Sequence, residues 1–269
     1  SLDGVSVRYL TAGSVGPSVI LIHGLGNSLA AWQRNITPLS QSFRVYALDL
    51  PGHGLSTGPG GRYDLSFIAR FMGQFLDHLK LTSVNLIGSS MGGLVAMKTA
   101  LELPERVYSL VLVGSAGLGR EMAYFLRLLT LPGVGEVLSR PSWRKTRWGL
   151  KNILYDHSFI TDALVDELHR YRTIPGVNRT MLKILRYGAN FLGQKDKVIM
   201  LDRLESLKKP TLVVWGAQDS ILPASHSYAA HRRIQGSRLH VFQQCGHWPQ
   251  MEKSGPFNEL VTGFLKDVS

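Results

Sequence analysis

Gly88-Ser89-Ser90-Met91-Gly92-Gly93 is the stretch on which the reading of this chain turns. It follows Val84-Asn85-Leu86-Ile87, a short apolar run of the kind that forms a strand buried on both faces. After it a helical pattern runs from about Met91 to Leu103, where Pro104 stops it, because proline disfavours helix in the residue before it. A G-x-S-x-G match alone is a weak signal. Between a strand and a helix it describes a sharp turn that lifts a serine hydroxyl into the open. The glycines at 88 and 92 remove side chains that would collide in such a turn. The helix then aims its free N-terminal amides and its positive dipole end at negative charge developing beside Ser90.

Outward from this turn the pattern repeats. Ser18 to His23 is an apolar, β-branched run that stops at Gly24-Leu25-Gly26, and Phe43 to Asp49 is another that stops at Pro51-Gly52-His53-Gly54. From Leu65 to Leu79, Phe67, Ile68, Phe71, Phe75 and Leu79 share one helical face. Ser109 to Val113, Thr211 to Trp215 and Arg238 to Phe242 read as further strands, with helices near 224–234 and 256–266. Strand and helix alternate, so the expected class is α/β, a mostly parallel, doubly wound sheet. Residues 118–200 break the alternation with helical periodicity, aromatics and basic residues, and no strand is read there. They are expected to form a helical cap, or lid, inserted into a core made of 1–117 and 201–269.

A serine hydroxyl needs a base within reach and a third group to hold that base in the right tautomer. Two later loops offer them: Asp219 follows the strand ending at Trp215-Gly216, and His247 follows the strand ending at Phe242. In a parallel sheet both loops emerge at the edge where the Ser90 turn lies. Ser90, Asp219 and His247 are therefore the expected nucleophile, acid and base. The backbone amides of Leu25 and Met91 are the expected oxyanion donors, one from the glycine loop and one from the residue after the nucleophile. Trp248, Trp143, Trp148, Met122, Tyr124 and Phe125 are candidate pocket residues, weighed against packing within the cap. His23 and His53 are read as structural ties between loops. Cys245, the single cysteine, is read as a semi-buried structural residue. No metal or organic cofactor is called for.

Together, His23-Gly24-Leu25-Gly26, Asp49 to Gly54, Gly88 to Gly93, Trp215 to Asp219 and Gly246-His247-Trp248 resemble the α/β-hydrolase superfamily over nearly the whole chain. The resemblance implies the α/β-hydrolase fold and carries that family's triad onto Ser90, Asp219 and His247 and its oxyanion donors onto Leu25 and Met91. Gly246-His247-Trp248 with Gln250 and Glu252, and Trp32 with Asn35, resemble the branch that holds carbon–carbon hydrolases of aromatic meta-cleavage products alongside many esterases. Those carbon–carbon hydrolases carry asparagine before the nucleophile and a polar amide near the oxyanion loop, where this chain has Ser89 and Arg34. A serine nucleophile argues against haloalkane dehalogenases and epoxide hydrolases, which use a carboxylate.

Hydrolysis of a carboxylic ester through an acyl-enzyme is accordingly the first expectation. Carbon–carbon cleavage of meta-cleavage-product type is the alternative, thioester cleavage is also open, and a non-catalytic small-ligand receptor is the reading from another class. The 30 Lys and Arg against 19 Asp and Glu give a net charge of +11, and 15 of the basic residues face 9 acidic ones within 118–205 alone. Such an excess steers acidic molecules, so an ester or acidic small molecule is the expected partner, with transient contact at a membrane surface open. The basic residues form no tract and no nucleic-acid motif, so nucleic acid is not an expected partner. No apolar run is long enough to span a bilayer, the N-terminus lacks the layout of a signal peptide, and the cytoplasm is the expected compartment.

Overall fold

A computed structural model describes residues 2, 4–61 and 63–268. In chain order the elements are β1 (Tyr9–Ala12), β2 (Ser18–Ile22), α1 (Ile36–Ser40), β3 (Arg44–Leu48), α2 (Leu65–His78), β4 (Val84–Ser89), α3 (Met91–Glu102) and β5 (Val107–Val113). Then follow α4 (Tyr124–Leu129), α5 (Val134–Leu138), α6 (Trp143–Ile153), α7 (Asp162–Arg172), α8 (Val177–Gly188), β6 (Ala189–Asn190) and β7 (Gly193–Gln194). The chain closes with β8 (Thr211–Gly216), α9 (Ser225–Arg233), β9 (Arg238–Phe242), α10 (Pro249–Glu252) and α11 (Ser254–Val268).

Seven strands form one sheet in the order β1-β3-β2-β4-β5-β8-β9, and only the β1–β3 pairing is antiparallel. Alternation along each strand sends side chains to two buried faces. Ile20, Ile22, Leu86, Leu110 and Leu112 pack with Phe71, Phe75 and Met97 of α2 and α3 on one face. Val19, Leu21, Ile87, Val111 and Val113 pack with Trp32, Phe257 and Val261 on the other. Helices on both faces make the sheet doubly wound, as the sequence implies. β4 lies at its centre between β2 and β5, which sets the turn after β4 in the middle of the carboxyl edge.

Two features depart from the sequence reading. Residues 9–12 form an edge strand that the sequence did not signal, because three of its four side chains are exposed and no apolar alternation marks it. Within 118–200, β6 and β7 pair as a two-stranded hairpin where no strand was expected, since two-residue strands are too short to show a period. The rest of that region is five helices, α4 to α8, joined by turns and short loops, and all five lie between β5 and β8 in the chain. Among the described residues no helix is long and apolar enough to cross a membrane.

Candidate active site

β4 runs straight into α3, and Ser90 occupies the one-residue turn between them with φ 56° and ψ −118°. That backbone region is costly for a residue with a side chain and survives only where its surroundings fix it. The surroundings here leave no slack. A Cβ on Gly88 would stand 2.2 Å from the Gly92 carbonyl oxygen, one on Gly92 would stand 2.1 Å from the Ile22 carbonyl oxygen, and one on Gly93 would meet Ser115 Oγ at 2.3 Å. The glycine loop after β2 presses on Ser90 as well, since a Cβ on Gly24 would lie 3.0 Å from Ser90 Cβ.

The loops after β8 and β9 bring the predicted acid and base together. His247 Nδ1–H donates to Asp219 Oδ2 over 2.7 Å, with both side chains buried. The other oxygen, Asp219 Oδ1, accepts the backbone N–H groups of Ile221 (2.8 Å) and Leu222 (3.0 Å). The carboxylate is thereby fixed by three donors, and it fixes the imidazole with Nε2 as the free, basic nitrogen. His247 and Ser90 line the same cavity without a hydrogen bond between their side chains. Such bonds are commonly loose without substrate and tighten in the reacting complex.

Leu25 and Met91 flank Ser90, and among the described residues neither backbone N–H donates to another group. Two donors free beside a nucleophile form the arrangement that holds an oxyanion. The expectation that His23 and His53 tie loops together matches the geometry. His23 Nδ1–H donates to the Gly24 carbonyl (2.7 Å) and its Nε2 accepts from the Leu50 N–H (3.0 Å). His53 donates to the Pro51 carbonyl (3.2 Å), and the two rings lie 5.3 Å apart. Burial lowers the His23 pKa to about 4. Burial, with His23 alongside, lowers the His53 pKa to about 3. Cys245 is buried, and burial pushes its thiol pKa up, which keeps it protonated and inert.

Two cavities meet at Ser90. The larger, about 420 Å³, reaches from Ser90, His247 and Trp248 under α4 to α8. The smaller, about 120 Å³, reaches from Ser90 and Met91 past Tyr63, Met122 and Ile184. Of the predicted pocket residues, Trp248, Trp148 and Phe125 line the first and Met122 the second. Trp143 and Tyr124 line neither. Trp143 turns its ring to a satellite core with Leu164 and Met251 and donates Nε1–H to Asp166 (2.8 Å). Tyr124 is 61% exposed and meets Phe191 of the β6–β7 hairpin edge-on. Helical spacing says which side chains share a face but not which face turns to the cavity, so these two aromatics were misplaced.

Sequence reasoning also missed two cations. Arg172 and Lys145 line the larger cavity, and no Asp or Glu is among the described residues that line it. Lys145 Nζ donates to the Val137 and Leu138 carbonyls (both 3.2 Å). Arg172, in the last turn of α7, makes one long bond to the Ser139 carbonyl (3.5 Å) and leaves its Nε buried without a partner. Desolvation by burial lowers its pKa, and no carboxylate counters the shift. The only sequence signal was the local excess of basic residues, which does not say which of them points inward. Arg34, by contrast, stacks its guanidinium over Phe159, 5.0 Å from the ring centre, away from both cavities.

The family model that matches is described as alpha/beta hydrolase fold and covers residues 17–135 and 184–254. The chain is 35% identical to the dihydrolipoyllysine-residue acetyltransferase component of the acetoin cleaving system of Cupriavidus necator, over 98% of this chain and 67% of that protein. It is 32% identical to the 2-hydroxy-6-oxononadienedioate/2-hydroxy-6-oxononatrienedioate hydrolase of Escherichia coli strain K12, over 96% of this chain and 90% of that one. Among solved structures, the meta-cleavage product hydrolase of Pseudomonas fluorescens IP01 superposes with a TM-score of 0.87 at 29% identity, over 100% of this chain and 97% of that one.

Proposed function

This chain belongs to the alpha/beta hydrolase fold family, and on that premise we propose that it is a serine hydrolase cleaving the carbon–carbon bond beside a ketone in an anionic, conjugated acid. The observation that carries this reading is a cavity lined by Ser90, His247, Arg172 and Lys145, with no acidic residue among the described residues that line it. A half-buried guanidinium whose Nε has no partner and which has no counter-charge is poorly compensated until an anion arrives to pair with it. The likeness to two hydrolases whose names give a keto diacid or a meta-cleavage product as substrate supports the same class.

In this reading Ser90 Oγ attacks the ketone carbon and its proton passes to His247 Nε2. The Leu25 and Met91 amides hold the resulting oxyanion. Collapse restores the carbonyl and breaks the carbon–carbon bond. The bond breaks in the tautomer whose enol proton has moved to the carbon beside the ketone. The departing electron pair then spreads over the conjugated fragment to its enolate oxygen, the fragment's carboxylate pairs with Arg172, and His247 returns the proton to that oxygen. Water then attacks the acyl group on Ser90, with His247 as base, and frees the second acid. The larger, cationic cavity takes the acid-bearing fragment and the smaller, apolar one the acyl fragment. Residues 118–200 act as the cap that selects substrate.

Ester cleavage, the first expectation from the sequence, becomes the second reading. One observation favours it: Ser89 stands where the carbon–carbon hydrolases carry asparagine, and it is buried with its hydroxyl accepting from Gln250 Nε2 (3.3 Å). It lines neither cavity and so presents no donor to them. The test is a side-by-side assay of an anionic keto-dienoate and p-nitrophenyl esters, with Ser90→Ala as control. Ser90-dependent turnover of the keto-dienoate at a kcat/KM above that of every ester is expected. Ester turnover with none of the keto-dienoate overturns carbon–carbon cleavage.

A further inference from the structure

The motif after the catalytic histidine contains an acidic residue that the chemistry above does not use. Glu252, at the end of α10, is 7% exposed, and its carboxylate is far from idle. One oxygen, Oε1, accepts the N–H of Gly246 (2.8 Å), the residue before His247. The other, Oε2, accepts the N–H groups of Tyr155 (2.8 Å) and Asp156 (2.9 Å), just beyond the end of α6. A further bond runs across the same joint, because the His247 N–H donates to the Ile153 carbonyl (2.7 Å). Gly246 is wedged there: a Cβ on it would stand 2.4 Å from the Ile153 carbonyl oxygen and 2.8 Å from the Tyr155 nitrogen.

The other side of this joint is the wall of the larger cavity. Thr146, Gly149, Leu150 and Ile153, all on α6, line it together with His247. A buried carboxylate satisfied by three backbone donors is among the stronger polar ties available to a protein, and this one has its two oxygens on two different segments. We infer that Glu252 is a positioning residue: its carboxylate clamps the loop carrying the general base to the end of α6, so that the cavity wall and His247 hold one fixed geometry. The inference rests on the reading of Ser90, Asp219 and His247 as a triad, but not on which bond is cleaved.

Only a side chain of this length and charge does the work. Glu252→Gln puts an NH₂ group against backbone N–H donors on one side of the joint. Glu252→Asp keeps the charge but is one methylene too short to reach both sides. The experiment measures kcat and KM for both variants in the full chain. It includes active-site titration with a fluorophosphonate and proton NMR of the His247 Nδ1–H that bridges to Asp219. Small displacements of a reacting group cost on the order of 10²-fold in rate. The expected result is kcat lower by about that factor, KM within about twofold, a full count of titratable Ser90, and a broadened or upfield-shifted imidazole proton. Tyr155→Pro removes one donor on the cap side of the joint, beneath a side chain exposed to solvent, and is expected to give the same signature in weaker form.

Wild-type kcat and an unchanged imidazole signal in Glu252→Gln overturn the clamp, and so does a fall in titratable Ser90 that accounts for all the lost rate. If Glu252→Gln does not fold, Tyr155→Pro decides by the same criteria. Ser90→Ala is assayed alongside. Turnover that survives it sinks the triad, whereas a dead Ser90→Ala with a normal Glu252→Gln sinks the clamp alone.

Discussion

Replacing Arg172 by methionine is expected to move activity and stability in opposite directions. Methionine keeps an unbranched apolar stem of similar reach and deletes only the charge and its donors. In the structure the guanidinium gains little from its neighbours: one 3.5 Å bond to the Ser139 carbonyl, an Nε with no partner, and a pKa lowered by desolvation. A hydrogen bond from such a group to a substrate carboxylate is worth about 1.5–3 kcal/mol. At 1.36 kcal/mol per factor of ten, kcat/KM for an anionic substrate falls roughly 10- to 150-fold. A neutral ester that fits the same cavity loses none of that. Removing a half-buried cation that has no ion-pair partner at the same time relieves a desolvation penalty, a gain on the order of 1 kcal/mol that raises Tm by about 2–4 °C in a chain of this size. The assays are steady-state kinetics on a matched anionic and neutral pair, with thermal unfolding of the same samples. Equal loss on both substrates, or a lower Tm, refutes the assignment of Arg172 as an anion receptor and makes it a structural residue of α7.

Asp219→Asn is expected to lower kcat by about 10⁴-fold with the fold intact. The two N–H groups at Ile221 and Leu222 demand the amide oxygen, which turns the NH₂ toward Nδ1 and drives the imidazole proton onto Nε2, where it can no longer accept from Ser90. A loss below about tenfold would mean that another group orients His247. Acid is expected to destabilise the protein through its two buried histidines. His23 and His53 have pKa values lowered from 6.5 to about 4 and about 3, so the unfolded chain takes up protons that the fold refuses. Their stabilisation is complete above pH 6.5 and is lost as pH falls toward these values, at up to about 1.4 kcal/mol per pH unit for each. Asp49, whose carboxyl burial pushes up, offsets part of this. A urea midpoint that stays level between about pH 7 and about pH 5 would contradict that slope.

What was legible in the sequence is what backbone geometry dictates. The turn at Ser90 demands glycines at 88 and 92, and the strands that carry Ser90, Asp219 and His247 to one edge are apolar runs with abrupt ends. These constraints are local, so they are written locally. The helical region between β5 and β8 is different because its helices are amphipathic toward more than one neighbour. Trp143 and Trp148 lie on the same helix, yet the first packs inward with Leu164 while the second borders the cavity. In the sequence Arg172 is one of many basic residues; the packing of α7 places it beside the cavity, where no Asp or Glu is among the described lining residues. The edge strand at Tyr9–Ala12 earns its pairing from β3 rather than from its own composition.

The joint between the base-bearing loop and α6 is made almost wholly of main chain on the cap side: two N–H groups and one carbonyl, at Tyr155, Asp156 and Ile153. Every residue but proline brings an N–H to such a joint, so it is indifferent to the side chains around it. The side chains of α6 to α8 are therefore free to vary without breaking these bonds to the loop carrying His247, provided Glu252 and Gly246 stay. An engineered exchange of the helical segment between β5 and β8 has a natural splice point at residues 153–156, where the tie to the His247 loop is made by main chain.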